Sequence, residues 1–323
     1  MGRVIWKNDA ETAALRAPWQ VDGLPLPFRF AAGYWRYSPV KRGGTRLVYA
    51  ISRIFGEGAQ LKATVPGFFT ITCDLNNTQY LPLYTCEGIY EPDTLRVILN
   101  ALEPGDVFCD VGCNWGFFSL LAAVRVGAQG KVYAFDPNPA VLKEGLCRHV
   151  AEAGLKNVFP ECYAVSDVHD EMVELVIPAS KASGNASIMV RDHRHHESVV
   201  RSRTVRLDRF FEGGDVPRLF KLDIEGAELK ALNGCKGLLD AGARPIFVVE
   251  YAPDRETYRH SLADLEDFFR PYEYKIGWPV PGGVSIRQVK GRPAGAREAN
   301  LIAMPGESLP FFAPGDGTSR LHG

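Results

Sequence analysis

The sequence predicts an α/β fold built on a mostly parallel sheet with helices packed on both faces. Three observations predict it. Val107-Phe108-Cys109 is a short apolar run behind the breaker Pro104-Gly105-Asp106, and it passes through a glycine-bearing turn into the apolar stretch 117–124. Leu219 to Leu222 and Ile246 to Val249 are two more such runs, and each stops at a carboxylate, Asp223 and Glu250. Stretches with helical periodicity separate the runs. Short apolar runs bounded by turn signals read as strands buried on both sides, and their alternation with helices reads as a parallel sheet.

The bulk properties exclude several classes. The chain of 323 residues is 46% hydrophobic and 23% charged, the balance of an ordinary globular protein. A net charge of −1 argues against nucleic acid or an anionic membrane as the partner. No apolar run is long enough for a membrane span, and the first residues lack a signal-peptide core. Seven scattered cysteines without a C-x-x-C pair read as reduced thiols and a cytoplasmic protein.

In chain order, residues 1–85 read as a small α+β cap. Pro18, Pro25 and Pro27 with nearby aromatics indicate an irregular arm. Residues 45–55 carry a helical stripe closed by Gly56, and 68–73 and 80–84 read as strands. The cap is either a structural extension or a lid that recognises substrate. Residues 86–307 form the main domain and 308–323 a loose tail. Pro92 opens a helix over 93–102 with apolar residues at 95, 98, 99 and 102.

The first strand ends at Asp110, and Gly112-Cys113-Asn114-Trp115-Gly116 turns into the helix. A strand, glycine turn and helix offer backbone N–H groups to a ligand's polar groups. The spacing Asp-x-Gly-x-x-x-Gly departs from G-x-G-x-x-G, because Asn114 stands where a pyrophosphate needs a second glycine. A dinucleotide is therefore disfavoured. The acidic residue before the loop suits a cationic ligand without phosphate, as S-adenosylmethionine is. The second strand, 131–135, ends at Asp136-Pro137-Asn138, where Asp136 can accept ribose hydroxyls or cap the following helix over 140–153. A third strand is expected over 158–165, with Cys162, Tyr163 and Ala164 at the adenine edge by position; Tyr163 reads equally well as core.

Four motifs carry a family resemblance: Asp110 to Gly116, Phe135-Asp136-Pro137-Asn138-Pro139, Lys221-Leu222-Asp223-Ile224-Glu225-Gly226-Ala227-Glu228, and Val248-Val249-Glu250. Together they resemble the FkbM-type methyltransferases over roughly residues 88–305. The resemblance implies a class I methyltransferase fold, Rossmann-like with seven strands, and S-adenosylmethionine-dependent O-methylation. Cys113 stands where alanine is usual in the family and Asp136 where glutamate is usual. Glu91 resembles the family's acidic residue ahead of the core, which either approaches the cofactor's amino group or favours its helix by charge.

Residues 172–177 and 198–207 read as a β-hairpin inserted between the third and fourth sheet strands. Arg191, His193, Arg194, His195, His196, Arg201, Arg203 and Arg206 make it locally basic. It is either a solvated charged hairpin or a platform for an anionic or sugar substrate. Asp223 and Glu225 are expected to point to one side of an extended segment, with Glu250 beside them at the carboxyl edge of the sheet. Apposed carboxylates supply a general base, or else bind Mg²⁺. Glu228 is expected to pair with Lys221, and a helix is expected over 227–239. Further strands over 272–278 and 299–304 are expected as an antiparallel pair at the sheet's edge.

The reading is methyl displacement onto the hydroxyl of a sugar or natural product, with Asp223, Glu225 and Glu250 as the catalytic set. A protein or RNA acceptor is the alternative within the same chemistry, and a binding protein that kept the fold is the alternative outside it. A homo-oligomer is compatible with the sequence.

Overall fold

The computed structural model describes residues 91–177, 198–254, 260–280 and 299–306 without a break in each, and shorter pieces at 3–5, 20–22, 26–30, 50–51, 54–55, 59–65, 67–75, 258 and 283–285. The strand expected over 80–84, the loop histidines His193, His195 and His196 with Arg191 and Arg194, and the tail after 306 lie outside the described residues.

The main sheet contains seven strands in the doubly wound order. They are β5 (Val107–Val111), β6 (Lys131–Phe135), β7 (Val158–Glu161), β11 (Leu219–Leu222), β12 (Ile246–Tyr251), β13 (Tyr274–Val280) and β15 (Ala299–Pro305). Their spatial order is β13-β15-β12-β11-β5-β6-β7. The five strands from β7 to β12 are parallel, whereas β15 runs antiparallel to both its neighbours. This is the class I α/β arrangement. Among the described residues two short strands, β1 (Arg3–Ile5) and β14 (Gly283–Ser285), continue the sheet beyond β13. The expected antiparallel pair is thus present at one end of the seven strands, with β15 against β12 and β13 outside it. At the opposite margin β7 carries Pro160, which has no N–H to offer and so blunts that edge.

The strands are mostly apolar because both faces are covered. Alternate residues feed two separate cores: Ile246 and Val248 join one, Phe247 and Val249 the other. The first core is closed by α1 (Pro92–Ala101) and α2 (Phe117–Val126). It is also closed by α3, a helix composed of Pro139–Val141, a π-helical stretch Leu142–Cys147 and Arg148–Glu152. The second core is closed by α4 (Leu207–Phe210), α5 (Glu228–Asn233), α6 (Lys236–Asp240) and α7 (Leu262–Phe269). The helix expected over 227–239 is in fact two, broken at Gly234, where a Cβ would meet the Ser166 carbonyl at 2.3 Å. Ser261 opens α7 with a capping box to Asp264.

A three-stranded antiparallel sheet of β2 (Gln20–Asp22), β3 (Gln60–Val65) and β4 (Phe69–Asp74) belongs to the N-terminal part. Leu61, Ala63, Ile71 and Cys73 join the first core, and Arg148 bonds Asp74 at 3.0 Å and the Thr72 carbonyl at 2.8 Å. The strand expected over 158–165 is split. After β7 the chain turns at Cys162-Tyr163, and β8 (Ala164–Val165) pairs with β10 (Ser198–Val205) in another sheet, where β10 and β9 (Met172–Ile177) form the inserted hairpin. Arg201, Arg203 and Arg206 are ion-paired with Glu174, Asp170 and Asp208. Among the described residues the hairpin's arginines are therefore neutralised rather than displayed as a basic platform.

Candidate active site

The candidate site lies along the carboxyl ends of β5, β6, β11 and β12, where parallel strands leave a crevice for ligands. Its centre is a buried cation. Lys221 sits beside Asp110 in the pairing of β11 with β5, and it is 2% exposed. Its Nζ lies 2.7 Å from Asp223 Oδ2 and 5.0 Å from the centre of the Phe118 ring. Burial works against the charge on Lys221. Asp223, Asp110 and Glu91 together more than offset it, so its pKa stands above the ordinary lysine value and the group is an ammonium at neutral pH.

Asp110 is 1% exposed and accepts the Ser119 hydroxyl of α2 at 2.6 Å, while its second oxygen is buried without a partner. Burial raises its pKa, and Lys221 and Ser119 hold it down. Glu91 precedes α1 in the left-handed conformation, φ 41°, and accepts from Asn300 of β15 at 3.0 Å. The same Asn300 amide reaches Thr94 Oγ1 at 2.6 Å. Glu250 faces Asn300 across the β12–β15 ladder. Glu91, Asp110, Asp223 and Glu250 thus converge around Lys221 and Asn300.

The glycine loop touches the acidic turn backbone to backbone. Gly112 has φ +80°, and a Cβ there would stand 1.9 Å from the Asp223 carbonyl oxygen. The N–H groups of Gly112 and Cys113 both bond the Phe135 carbonyl at the end of β6. Gly116, at φ +93°, lets Leu146 of α3 close on the loop. Asn114 and Glu225 are left-handed too, at φ 52° and 58°. Non-glycine residues held at positive φ concentrate where function over-determines the backbone, and three of the five among the described residues (Glu91, Asn114 and Glu225) border this crevice.

Asp136 receives the Asn138 N–H at 2.9 Å, and Asn138 Oδ1 in turn caps α3 at Ala140, so the cap comes from Asn138 and not from Asp136. Burial pushes the Asp136 carboxyl up to about 6, against the pull of the Asn138 and Asn114 N–H groups. Cys113 and Trp115 are buried, the Trp115 ring against Phe117 and His149, so those side chains belong to the core and only their backbone borders the crevice. Cys162 is exposed with its thiol toward the Pro137 carbonyl, Tyr163 is half-buried against the second core, and Ala164 is buried in β8.

Two expectations about the acidic motif need correction. β11 ends at Leu222, and left-handed Glu225 shows that Asp223 and Glu225 do not project from one extended segment. Glu228 does not pair with Lys221. Its Oε1 accepts the Ile224 and Gly226 N–H groups at 3.0 and 3.1 Å and so closes the turn. As to Mg²⁺, no three His, Cys, Asp or Glu side chains among the described residues converge as metal ligands. The Lys221 ammonium takes the place between Asp110 and Asp223 that a divalent ion would need, so the donor set does not fit Mg²⁺.

Sequence reasoning missed three residues. Asn300 opens the last strand and ties Glu91 to β15. Buried His149 links the Trp115 carbonyl of the glycine loop, 2.8 Å from Nδ1, to β4. Burial lowers its pKa, and Arg148 donates to the same Thr72 carbonyl beside it. The third is His260, beside Glu228. Its only sequence signal is a lone histidine before a capping box.

Comparison with known proteins follows the same outline. The family model described as "Methyltransferase FkbM domain" matches residues 105–276. A hexuronic acid methyltransferase, AglP, of Haloferax volcanii is 27% identical over 153 residues, 47% of this chain and 59% of that protein. A ribosomal RNA large subunit methyltransferase E of Sorangium cellulosum is 26% identical over 100 residues, 31% of this chain and 47% of that protein. The chain therefore spans about half of the length of these curated relatives. Among solved structures, a putative rRNA-methylase from Clostridium thermocellum superposes with TM-score 0.41 and 10% identity, covering 65% of this chain and 92% of that one. Among the described residues no helix is long and apolar enough to cross a membrane.

Proposed function

Because the chain belongs to the methyltransferase FkbM domain family, we propose that it is an S-adenosylmethionine-dependent O-methyltransferase whose acceptor is a sugar hydroxyl, a hexuronic acid in the first instance. The observation that carries the reading is the backbone contact between Gly112 and Asp223. It sets the cofactor loop edge to edge with the acidic turn, so that a methyl donor on one side faces an acceptor on the other. The likeness to a protein named as a hexuronic acid methyltransferase supports the acceptor class.

Each residue then has a chemical task. The loop Gly112 to Gly116 and the N-terminus of α2 receive the cofactor, and Asp136 accepts its ribose hydroxyls. The cofactor supplies a methyl group on a positively charged sulfur. Asp223, with its side chain 26% exposed and its charge balanced by Lys221, accepts the acceptor's hydroxyl proton. The acceptor oxygen takes the methyl carbon as the carbon–sulfur bond breaks, and neutral S-adenosylhomocysteine leaves. The principal contribution of the protein is alignment. Lys221 stays protonated and holds Asp223 in place. The paired arginines of the hairpin weaken the alternative of an RNA acceptor, which would need free cations for phosphate.

The test is methyl transfer from labelled S-adenosylmethionine to hexuronic acids and hexuronate-containing oligosaccharides, with structured RNA in parallel. Transfer to the sugar is expected, and Asp223→Asn should reduce it by at least about 100-fold. S-adenosylhomocysteine should still bind within about threefold, read by calorimetry. Transfer to RNA alone, or full turnover by Asp223→Asn, would overturn the acceptor or the base respectively.

A further inference from the structure

Behind the acidic turn lies a buried pair that the chemistry above does not use. Glu228 is fully buried, and its Oε1 is occupied by the Ile224 and Gly226 N–H groups. Its Oε2 is buried with no partner, 3.8 Å from His260 Nε2, which also has none. His260 is itself buried, and the Gly226 carbonyl raises its proton affinity, which directs Nδ1–H toward that carbonyl. Nε2 then presents a lone pair to Glu228 Oε2. Two buried acceptors facing each other cost free energy unless a proton stands between them.

We propose that His260 is a positioning residue for methyl transfer: it lies against the protonated carboxyl of Glu228, and together they lock the Asp223–Gly226 turn in its left-handed form. The inference rests on the reading that this turn faces the acceptor. The lock grips the turn by two hydrogen bonds, from the Ile224 and Gly226 N–H groups to Glu228, with His260 set against the Gly226 carbonyl. It needs no net charge, because a protonated acid facing a neutral imidazole is neutral overall. Burial favours that form. It lifts the Glu228 carboxyl to about 7 and depresses the His260 imidazole to about 4.

The surroundings leave the pair isolated. Asp264 of α7 faces His260, but its carboxylate is engaged with the Ser261 N–H and hydroxyl. The Tyr258 ring lies 4.1 Å from the imidazole, centre to centre, and its hydroxyl donates to the Glu250 carbonyl. Asp223 acts on Glu228 from the turn itself and raises its affinity for the proton. The Tyr258 contact also joins the lock to β12 beneath Glu250.

Hydrogen exchange of the segment 223–229 in the full-length protein reads the lock, and methyl transfer reads its purpose. In the native protein, exchange corrected for its intrinsic pH dependence should speed up above about pH 7, as Glu228 loses its proton. Glu228→Gln should abolish that acceleration, because the amide oxygen still accepts both N–H groups and the amide N–H satisfies His260. His260→Ala should raise exchange in the segment by at least tenfold and cut kcat by at least tenfold. KM for S-adenosylmethionine should stay within threefold. His260→Gln, whose amide can donate to Glu228, should recover most of the loss. Exchange in His260→Ala like that of the native protein would overturn the lock. Loosened exchange with unchanged kcat would overturn the positioning role and leave the lock. Absence of methyl transfer by the native protein would refute the functional reading alone, since the exchange arm does not depend on it.

Discussion

Lys221→Met removes the ammonium from the centre of the site and keeps most of the stem that packs on Phe118. The pair it breaks is short, with Nζ to Asp223 Oδ2 at 2.7 Å, and Lys221 is almost wholly buried. At an effective dielectric of about 20 the gross attraction at that distance is roughly 6 kcal/mol. The ammonium's own desolvation offsets part of it, and removing one partner of a buried pair typically costs about 3–5 kcal/mol. The deficit should depend on pH, with a sign that follows from Asp110. Burial already raises that carboxyl above its ordinary value and Lys221 restrains it, so the substitution raises it further. An acid raised in the folded state contributes stability fully below its unfolded pKa, and loses it as pH climbs through the folded value. The deficit should therefore be smallest near pH 5 and grow toward pH 8, by at most about 1.4 kcal/mol per pH unit. Denaturant titrations at pH 5, 6, 7 and 8 measure it. Adding Asp110→Asn should recover at least about 2 kcal/mol at pH 8, because the charge left uncompensated goes with it. A deficit under about 1 kcal/mol at pH 8, or one flat across the range, would refute the claim that a buried cation holds these carboxylates together.

Two further outcomes follow from the loop and the second strand. Gly112→Ala must move either the loop or the Asp223 carbonyl and must also hold positive φ, so it should cost about 2–4 kcal/mol by thermal or denaturant unfolding and weaken S-adenosylhomocysteine binding at least tenfold. Stability near that of the native protein would mean that the two segments do not touch. Asp136 titrates at about 6 when free, and ribose hydroxyls prefer the carboxylate. Affinity for S-adenosylhomocysteine should thus rise as pH climbs from 5 to about 6 and level off above it, with proton release detectable by calorimetry in two buffers. Asp136→Asn should flatten that profile, and a profile unchanged by the substitution would remove Asp136 from the ribose.

The strands and the site's location were legible because both depend on short-range signals. Apolar runs that stop at Asp110, Asp136, Asp223 and Glu250 mark strands whose carboxyl ends share one edge. Pro92 acts within a few residues of itself, and the helix start it implies is present. What was missed depends on tertiary contact. Glu225 gives no sign of its left-handed backbone, because glutamate seldom adopts it and the turn imposes it. The break at Gly234 arises from Ser166, remote in sequence. The Glu228 side chain folds back on its own turn, which charge pairing along the sequence does not reveal. Asn300 reaches Glu91 across 209 positions. The strand β3, by contrast, carries an alternating pattern in Gln60–Val65 that the sequence did display and that reading for helices passed over.

The place of β15 in the sheet sets the order in which this protein can be assembled. The strand that separates β12 from β13 comes last among those described, with Asn300 opposite Glu250, and the outermost strand, β1, comes first, with Arg3 opposite Ser285. Long chain loops must close before either pairing repays its entropy, which slows folding. Until Ala299–Pro305 arrives, β12 is a mostly apolar edge with a free ladder of N–H and C=O groups, the kind of surface that recruits other chains. The stretch over which the family is recognised, residues 105–276, ends inside β13 and omits that strand. The segment that identifies the protein is therefore shorter than the segment that can fold.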